Sequence, residues 1–119
     1  GAFDERGAAT AAAVLGTNVK SFVRVPDKSL TTIKRFLDAG CGGIIVPHVN
    51  SRAECDAILQ AALFPPHGQR SVGIARAQGY GAYFSDSIRT RNYAVIVQIE
   101  TAEGVRNVEE IAAVFGIDA

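Results

Sequence analysis

Apolar positions along this chain change their spacing repeatedly, and each change marks an element. Glu5 to Leu15 is alanine-rich, which favours a helix that stops at Gly16. Phe22 to Val25 is a short β-type run closed by Pro26. From Ser29 to Ala39, Leu30, Ile33, Phe36 and Leu37 share one helical face, and Gly40 ends the pattern. Gly43 to Val46 is a second apolar run, again closed by a proline, Pro47. Ser51-Arg52-Ala53-Glu54 reads as a capping box, in which hydroxyl and carboxylate cover orphan amides at a helix start. That helix is predicted to run to about Leu63, where Phe64-Pro65-Pro66 stops it. The pattern then lapses from Pro65 to Asn92, a span with Gly68, Gly73, Gly79 and Gly81. It is longer than the ~12–15 residues of an ordinary loop, which predicts function or partial helix, with Phe84 to Arg91 as the helical part. Tyr93 to Ile99 restores a strand, Ala102 to Val114 a helix capped by Thr101, and residues 116–119 begin another strand.

Helix and strand therefore alternate, and the strands are apolar on both faces. That combination predicts a parallel sheet covered by helices. Two architectures compete, a doubly wound sheet and a segment of a (β/α)8 barrel. A doubly wound signalling domain needs an acidic cluster at its first strand end, and none is present. A complete barrel needs about 200 residues or more, against 119 here. The expectation is an α/β fold: a partial (β/α)8 TIM barrel with about three parallel strands and flanking helices. Residues 1–119 then form a single segment of a TIM-barrel domain, truncated at both ends.

Composition narrows the function classes. Hydrophobic residues make up 48% and charged residues 20%, as in ordinary soluble domains. Twelve basic residues balance twelve acidic ones, so no overall field draws the chain to nucleic acid or to a membrane. No apolar run approaches the ~18 residues of a membrane span. The opening lacks the basic and apolar regions of a signal peptide, and the absence of any Met hints at processing or excision. Cys41 and Cys55 lack metal-type spacing and are expected to be reduced, buried thiols, which points to the cytoplasm.

In parallel α/β folds ligands meet the carboxyl ends of the strands. The polar residues there are Arg24, His48, Gln98 and Glu100. Alternation puts Gln98 and Glu100 on one face, opposite Val97 and Ile99. Glu100 has three readings: a solvated carboxylate favoured by the next helix dipole, a metal ligand or general base, and half of an ion pair. Gln98, an amide in an apolar strand, needs partners or costs a few kcal/mol. Arg70 sits between glycines in HGQRSVG. It is either a surface arginine or a clamp for an anion or enolate, since its planar fork suits a carboxylate. Arg76 has the same two readings in a weaker context. Arg24 is balanced between an internal salt bridge and a substrate contact. His48 reads as a polar strand-end residue rather than a ligand, and His67 as a solvated loop residue. The glycines of GYGAYF fit neither phosphate-loop pattern.

VRVP at 23–26, GGIIVPHVNSRAE at 42–54, PPHGQRSVG at 65–73 and VIVQIETAEGVRNVEEIAAVFGID at 95–118 follow one another in a familiar order. Together they resemble the HpcH/HpaI aldolases, metal-dependent aldolases for 4-hydroxy-2-oxo acids related to the citrate lyase β-subunit. The resemblance covers roughly Phe22 to Ala119. It implies a (β/α)8 barrel, a divalent cation (magnesium or manganese first, sometimes cobalt or zinc) and pyruvate as the nucleophilic partner, bound as its enolate. On that analogy Glu100 is a metal ligand, Arg70 is catalytic and stabilises the 2-keto oxygen, and Gln98 lies with Arg70 in the substrate site. Departures from the pattern are also expected. The family's second metal carboxylate, in a Gly-Pro-x-Asp context, falls beyond residue 119, and Asp118 is not that ligand. Its strand-end Glu-His falls before Gly1, and Ser71 replaces a commoner glycine.

The resemblance thus implies a carbon–carbon lyase that reversibly cleaves a 4-hydroxy-2-oxo acid into pyruvate and an aldehyde. The implied partners are a small 2-oxo acid and an aldehyde, with no nucleic acid and no membrane, in a homo-oligomer. The isolated chain is expected to be inactive. Citryl cleavage, decarboxylation and a non-catalytic barrel fragment are the alternatives.

Overall fold

A computed structural model describes residues 4–15 and 19–119; Gly16, expected to stop the first helix, lies outside them. Helix α1 (Glu5–Leu15) precedes three strands, β1 (Phe22–Arg24), β2 (Gly43–Val46) and β3 (Ala94–Val97). The strands pair in parallel in the order of the sequence, with Arg24 level with Ile45 and Ile45 level with Ile96. Helices α2 (Leu30–Asp38) and α3 (Arg52–Ala62) follow β1 and β2. The last residues extend the sheet along the outer edge of β3, as their sequence predicts. Asp118 N–H donates to the Val95 carbonyl at 2.9 Å, and Val97 N–H to the Ala119 carbonyl at 2.8 Å.

The core lies on one face of this open sheet. Val25, Ile44, Val46 and Val95 meet Ile33, Phe36 and Leu37 of α2 and Cys55, Ile58 and Leu59 of α3, all buried, and Val97 and Ile99 pack at its edge. The other face carries Phe22, Arg24, Ile45, Ile96 and Gln98, exposed or half-buried and outside that core. The sequence predicts helical cover for apolar strands, and among the described residues the cover is on one face. The uncovered face is the one that holds the polar strand-end residues. Cys41 and Cys55 are free and buried, and burial pushes both thiols above their ordinary range.

Local chemistry explains the element boundaries. Ser29 caps α2 by accepting from the Thr32 amide at 3.2 Å, and Ser51 caps α3 by accepting from the Glu54 amide at 3.3 Å. Glu54 reaches back as a capping box requires, but to the amide of Asn50, at 2.7 Å, one residue earlier than the motif predicts. The single helix predicted for 102–114 is two, α5 (Ala102–Arg106) and α6 (Val108–Ala112). They part at Asn107, whose backbone leaves the helix (φ −101°, ψ 12°) while its side-chain amide donates to the Asn50 carbonyl at 2.7 Å.

The long segment after α3 is ordered in three steps. It first doubles back on α3: Gln69 N–H reaches the Gln60 carbonyl at 2.7 Å and Arg70 N–H the Leu63 carbonyl at 2.9 Å. Gly68 makes this approach feasible, because a Cβ there would lie 2.3 Å from the Leu63 oxygen. Two 3-10 turns follow over Arg76–Gly81, broken by left-handed Gly79 and Tyr80 (φ 57° and 53°). Helix α4 (Phe84–Arg89) is two residues shorter than predicted. Among the described residues no helix is long and apolar enough to cross a membrane.

Candidate active site at the carboxyl ends of the strands

Parallel strands deliver their last residues to one edge of the sheet, and the polar groups gather there. Arg24 ends β1. Its side chain shares a face with Gln98, because Arg24 is in register with Ile96 through Ile45 and Gln98 lies two residues further along. Arg24 Nε donates to Gln98 Oε1 at 2.9 Å. That bond gives the Gln98 amide oxygen its partner. Among the described residues neither terminal nitrogen of Arg24 has a hydrogen-bond partner, so the outer fork remains available to an anion.

Glu100 lies two residues beyond Gln98, at the turn into α5. Its Oε1 accepts from the backbone N–H of His48 at 3.0 Å and lies 3.6 Å from His48 Nδ1. Oε2 has no hydrogen-bond partner among the described residues. The site therefore presents one carboxylate oxygen that is held and one that is free. A half-exposed carboxylate of this kind is the hard oxygen donor that magnesium or manganese takes. Glu100 fits as one ligand of such an ion. Among the described residues no three His, Cys, Asp or Glu side chains stand together as a metal cluster.

A second layer of polar contacts ties the three strand-end loops together. Lys28, in the loop after β1, donates to the His48 carbonyl at 2.9 Å and to Glu54 Oε1 at 2.6 Å. Burial pushes the Glu54 carboxyl up, but the Lys28 hydrogen bond, the Asn50 amide and the Lys28 charge together hold it below its ordinary value. Asn50 in turn accepts from Thr101 Oγ1 at 2.5 Å, and Thr101 Oγ1 caps α5 through the Gly104 amide at 3.0 Å. Gly104 is required by this closeness: a Cβ would lie 2.8 Å from the Val49 carbonyl oxygen. The result joins β1, β2 and β3 at the edge where their side chains converge.

Arg70, expected beside Gln98 and Glu100, is elsewhere. It is 1% exposed, with Nη2 on Asp38 Oδ1 at 2.6 Å and Nη1 on the Ala62 carbonyl at 3.5 Å. Its guanidinium carbon sits 4.6 Å from the centre of the Phe64 ring and 5.4 Å from that of Tyr93. Asp38 ends α2, Ala62 ends α3 and Tyr93 precedes β3, so this cluster lies at the amino ends of the strands. The length of β3 and the residues flanking it, about 16 Å at ~3.3 Å per residue, separates Tyr93 from Gln98. Burial pushes the Tyr93 phenol up, against the opposing pull of the Arg70 charge and hydrogen bond. The physical reason for the displacement is the turn at Gly68, which folds the arginine loop back onto the end of α3 instead of sending it over the sheet. A cavity of about 580 Å³ also lies at this end, lined by Lys20, Cys41, Arg76, Tyr80 and Tyr93 among others, and includes none of the strand-end polar residues.

The structure thus brings together Gln98, Glu100, His48 and Arg24, and leaves Arg70 out. Arg24 was legible only as a strand-end cation with two roles in balance. The register across β2, which a lone sequence does not contain, is what sets it beside Gln98. Lys28 carried no motif at all.

Comparison with known proteins identifies the family. Residues 6–119 match the family described as HpcH/HpaI aldolase/citrate lyase. A 4-hydroxy-2-oxovalerate aldolase of Novosphingobium aromaticivorans is 44% identical over 102 residues, which cover 83% of this chain and 38% of that protein. A 5-keto-4-deoxy-D-glucarate aldolase of Escherichia coli is 36% identical over 110 residues, covering 89% of this chain and 42% of the relative. The chain thus spans about two fifths of these relatives' length. The crystal structure of an HpcH/HpaI aldolase/citrate lyase family protein from Burkholderia cenocepacia superposes with a TM-score of 0.87 at 34% identity, covering 97% of this chain and 48% of that one. With the family match spanning nearly its whole length, and with relatives in sequence and in structure agreeing, the chain belongs to the HpcH/HpaI aldolase/citrate lyase family.

Proposed function

We propose that this chain supplies part of the active site of a divalent-cation-dependent aldolase that reversibly cleaves a 4-hydroxy-2-oxo acid into pyruvate and an aldehyde. The observation that carries the reading is the convergence of Arg24, Gln98 and Glu100 on the uncovered face of the sheet, at the carboxyl ends of its strands. The aldolase relatives, which act on compounds of this kind by name, support the same chemistry. The open three-stranded sheet is then an arc of a barrel wall whose uncovered face points inward.

Cleavage of the bond β to a carbonyl leaves negative charge on the 2-oxo oxygen, and the site needs positive groups aimed at that oxygen. A bound divalent cation would supply Lewis-acid stabilisation of that charge. Glu100 would be one of its ligands, through the free Oε2. Arg24 takes the part expected of Arg70: its unpartnered terminal nitrogens bind the oxo-acid's oxygens and stabilise the charge as it develops. Gln98, engaged by Arg24 Nε, fixes the guanidinium plane and lies on the same face of the sheet. The chain's residues thus bind and orient the oxo acid, while the aldehyde end falls to parts of the protein outside it. The protein is further expected to be a cytoplasmic homo-oligomer.

The test is a retro-aldol assay on the full-length protein with manganese and a panel of 4-hydroxy-2-oxo acids. Pyruvate release from at least one of them is expected. No pyruvate from any member of the panel refutes the reading.

A further inference from the structure

His48 has an unusual backbone conformation, and its side chain contacts Glu100, with Nδ1 3.6 Å from Oε1. Its φ is 54°, in the left-handed region that residues other than glycine seldom occupy. The imidazole is 61% exposed, so packing does not force the conformation. Hydrogen bonds on the backbone hold it, and the Val49 N–H, on the same peptide plane as the His48 carbonyl, donates to the Gln98 carbonyl at 3.0 Å. The N–H is turned to Glu100 Oε1 at 3.0 Å, and the carbonyl is turned to Lys28 Nζ at 2.9 Å. Lys28 is itself anchored, 2.6 Å from Glu54 Oε1, while Glu54 Oε2 takes the Asn50 amide two residues past His48. The four residues 47–50 are therefore gripped at the His48 carbonyl and at the Asn50 amide by one ion pair.

From this geometry we propose that Lys28 is a positioning residue for the carboxylate of Glu100. Its ammonium draws the His48 carbonyl toward the Glu54 anchor and keeps residue 48 left-handed. That rotation is what points the His48 N–H at Glu100 Oε1. With Oε1 held, Glu100 is fixed with Oε2 free, as a ligand that binds through one oxygen. Lys28 touches neither substrate nor cation and acts only through the peptide of His48. The inference rests on the reading of Glu100 as a cation ligand, and it adds what orients that ligand. Partners of this kind set ligand geometry, and their loss weakens metal binding by roughly 10–100-fold.

The experiment uses the full-length protein with manganese as the probe, titrated calorimetrically, together with hydrogen exchange of the His48 amide. Lys28→Met keeps the aliphatic stem and removes the ammonium. It is expected to weaken manganese binding about 10-fold and to speed exchange of the His48 amide by a similar factor. Glycine adopts a positive φ without strain, so in a His48→Gly background the same Lys28→Met change should cost no more than about twofold in affinity, a bound set by the strain-free backbone. Wild-type affinity and amide protection in Lys28→Met overturn the proposal. An undiminished loss in the His48→Gly background overturns the route through the backbone of residue 48. Glu100→Gln separates the two readings. If it binds manganese normally, Glu100 is not a ligand, and the exchange rate of the His48 amide in Lys28→Met still decides whether Lys28 sets that peptide.

Discussion

Each end of the sheet carries an arginine, and the two are used in opposite ways. Arg24, at the carboxyl ends, is exposed; it spends one nitrogen on Gln98 and keeps its outer fork open. Arg70, at the amino ends, is sealed in: both terminal nitrogens are hydrogen-bonded, and Phe64 and Tyr93 lie against its plane. Among the buried side-chain polar atoms of the described residues, only its Nε goes without a hydrogen-bond partner. A buried guanidinium must be paired to be tolerated, so Arg70 binds the end of α2 to the end of α3, away from the strand-end polar residues. An arginine's chemistry is the same in both places, and its surroundings decide between holding the fold and keeping an open fork. This matches the division of parallel α/β folds into a stability end and a ligand end.

Arg70→Ala should give the largest effect. It removes one of the two cations on Asp38, leaving Lys34 Nζ at 2.8 Å, and opens a void under two rings, and about 2–5 kcal/mol of stability should be lost, measured by urea unfolding of the full-length protein. Arg24→Ala should cost under about 1 kcal/mol in the same measurement, and equal losses would erase the contrast. In activity the order reverses. Arg24→Ala should lower kcat/KM for the oxo acid about 100-fold, read by pyruvate release, and a change below about threefold would remove Arg24 from the site. Tyr93→Phe is a smaller probe of the amino end. It deletes the phenol's hydrogen bond to the Ala62 carbonyl, at 2.6 Å, and should cost about 1 kcal/mol without altering KM.

The smallest expected effect is one of pH. Glu54 is depressed in the fold, so its contribution is fully present above the unfolded carboxylate value of about 4.3 and is lost as the pH falls through the lower folded value. Because the pair with Lys28 is about one-third exposed, the contribution should stay under about 1 kcal/mol. Glu54→Gln should therefore be slightly less stable at pH 7, with the difference from the parent shrinking as the pH falls below about 4, by thermal unfolding across that range. A difference that persists at low pH would assign the effect to packing.

Much of this was legible from local pattern. The apolar periods placed α1, α2, α3 and all three strands, because each is set by residues within one or two turns of one another. The Ser51 and Thr101 caps were visible for the same reason, whereas the Ser29 cap was not singled out. Gln98 and Glu100 were found by simple alternation along one strand. What the sequence did not contain was lateral information. Whether Arg24 or Arg70 stands beside Gln98 depends on strand register and on the turn at Gly68, and neither is a property of a contiguous stretch. The break at Asn107 was hidden likewise, since its cause is a carbonyl 57 residues away, that of Asn50.

The order of the strands in space is also their order of synthesis. As the chain leaves the ribosome, β2 finds β1 already made, and β3 later finds β2. The intervals are unequal. From Arg24 to Gly43 is 43 − 24 = 19 residues, whereas from Val46 to Ala94 is 94 − 46 = 48. At roughly 5–20 residues per second, the outer edge of β2 waits about 2–10 s for its partner, more than twice as long as β1 waits. For those seconds an apolar strand presents unpaired backbone to the crowded surroundings of a nascent chain. The long segment carrying Arg70 thus sets a delay as well as a fold, and through that delay the outer edge of β2 stands open to a wrong pairing.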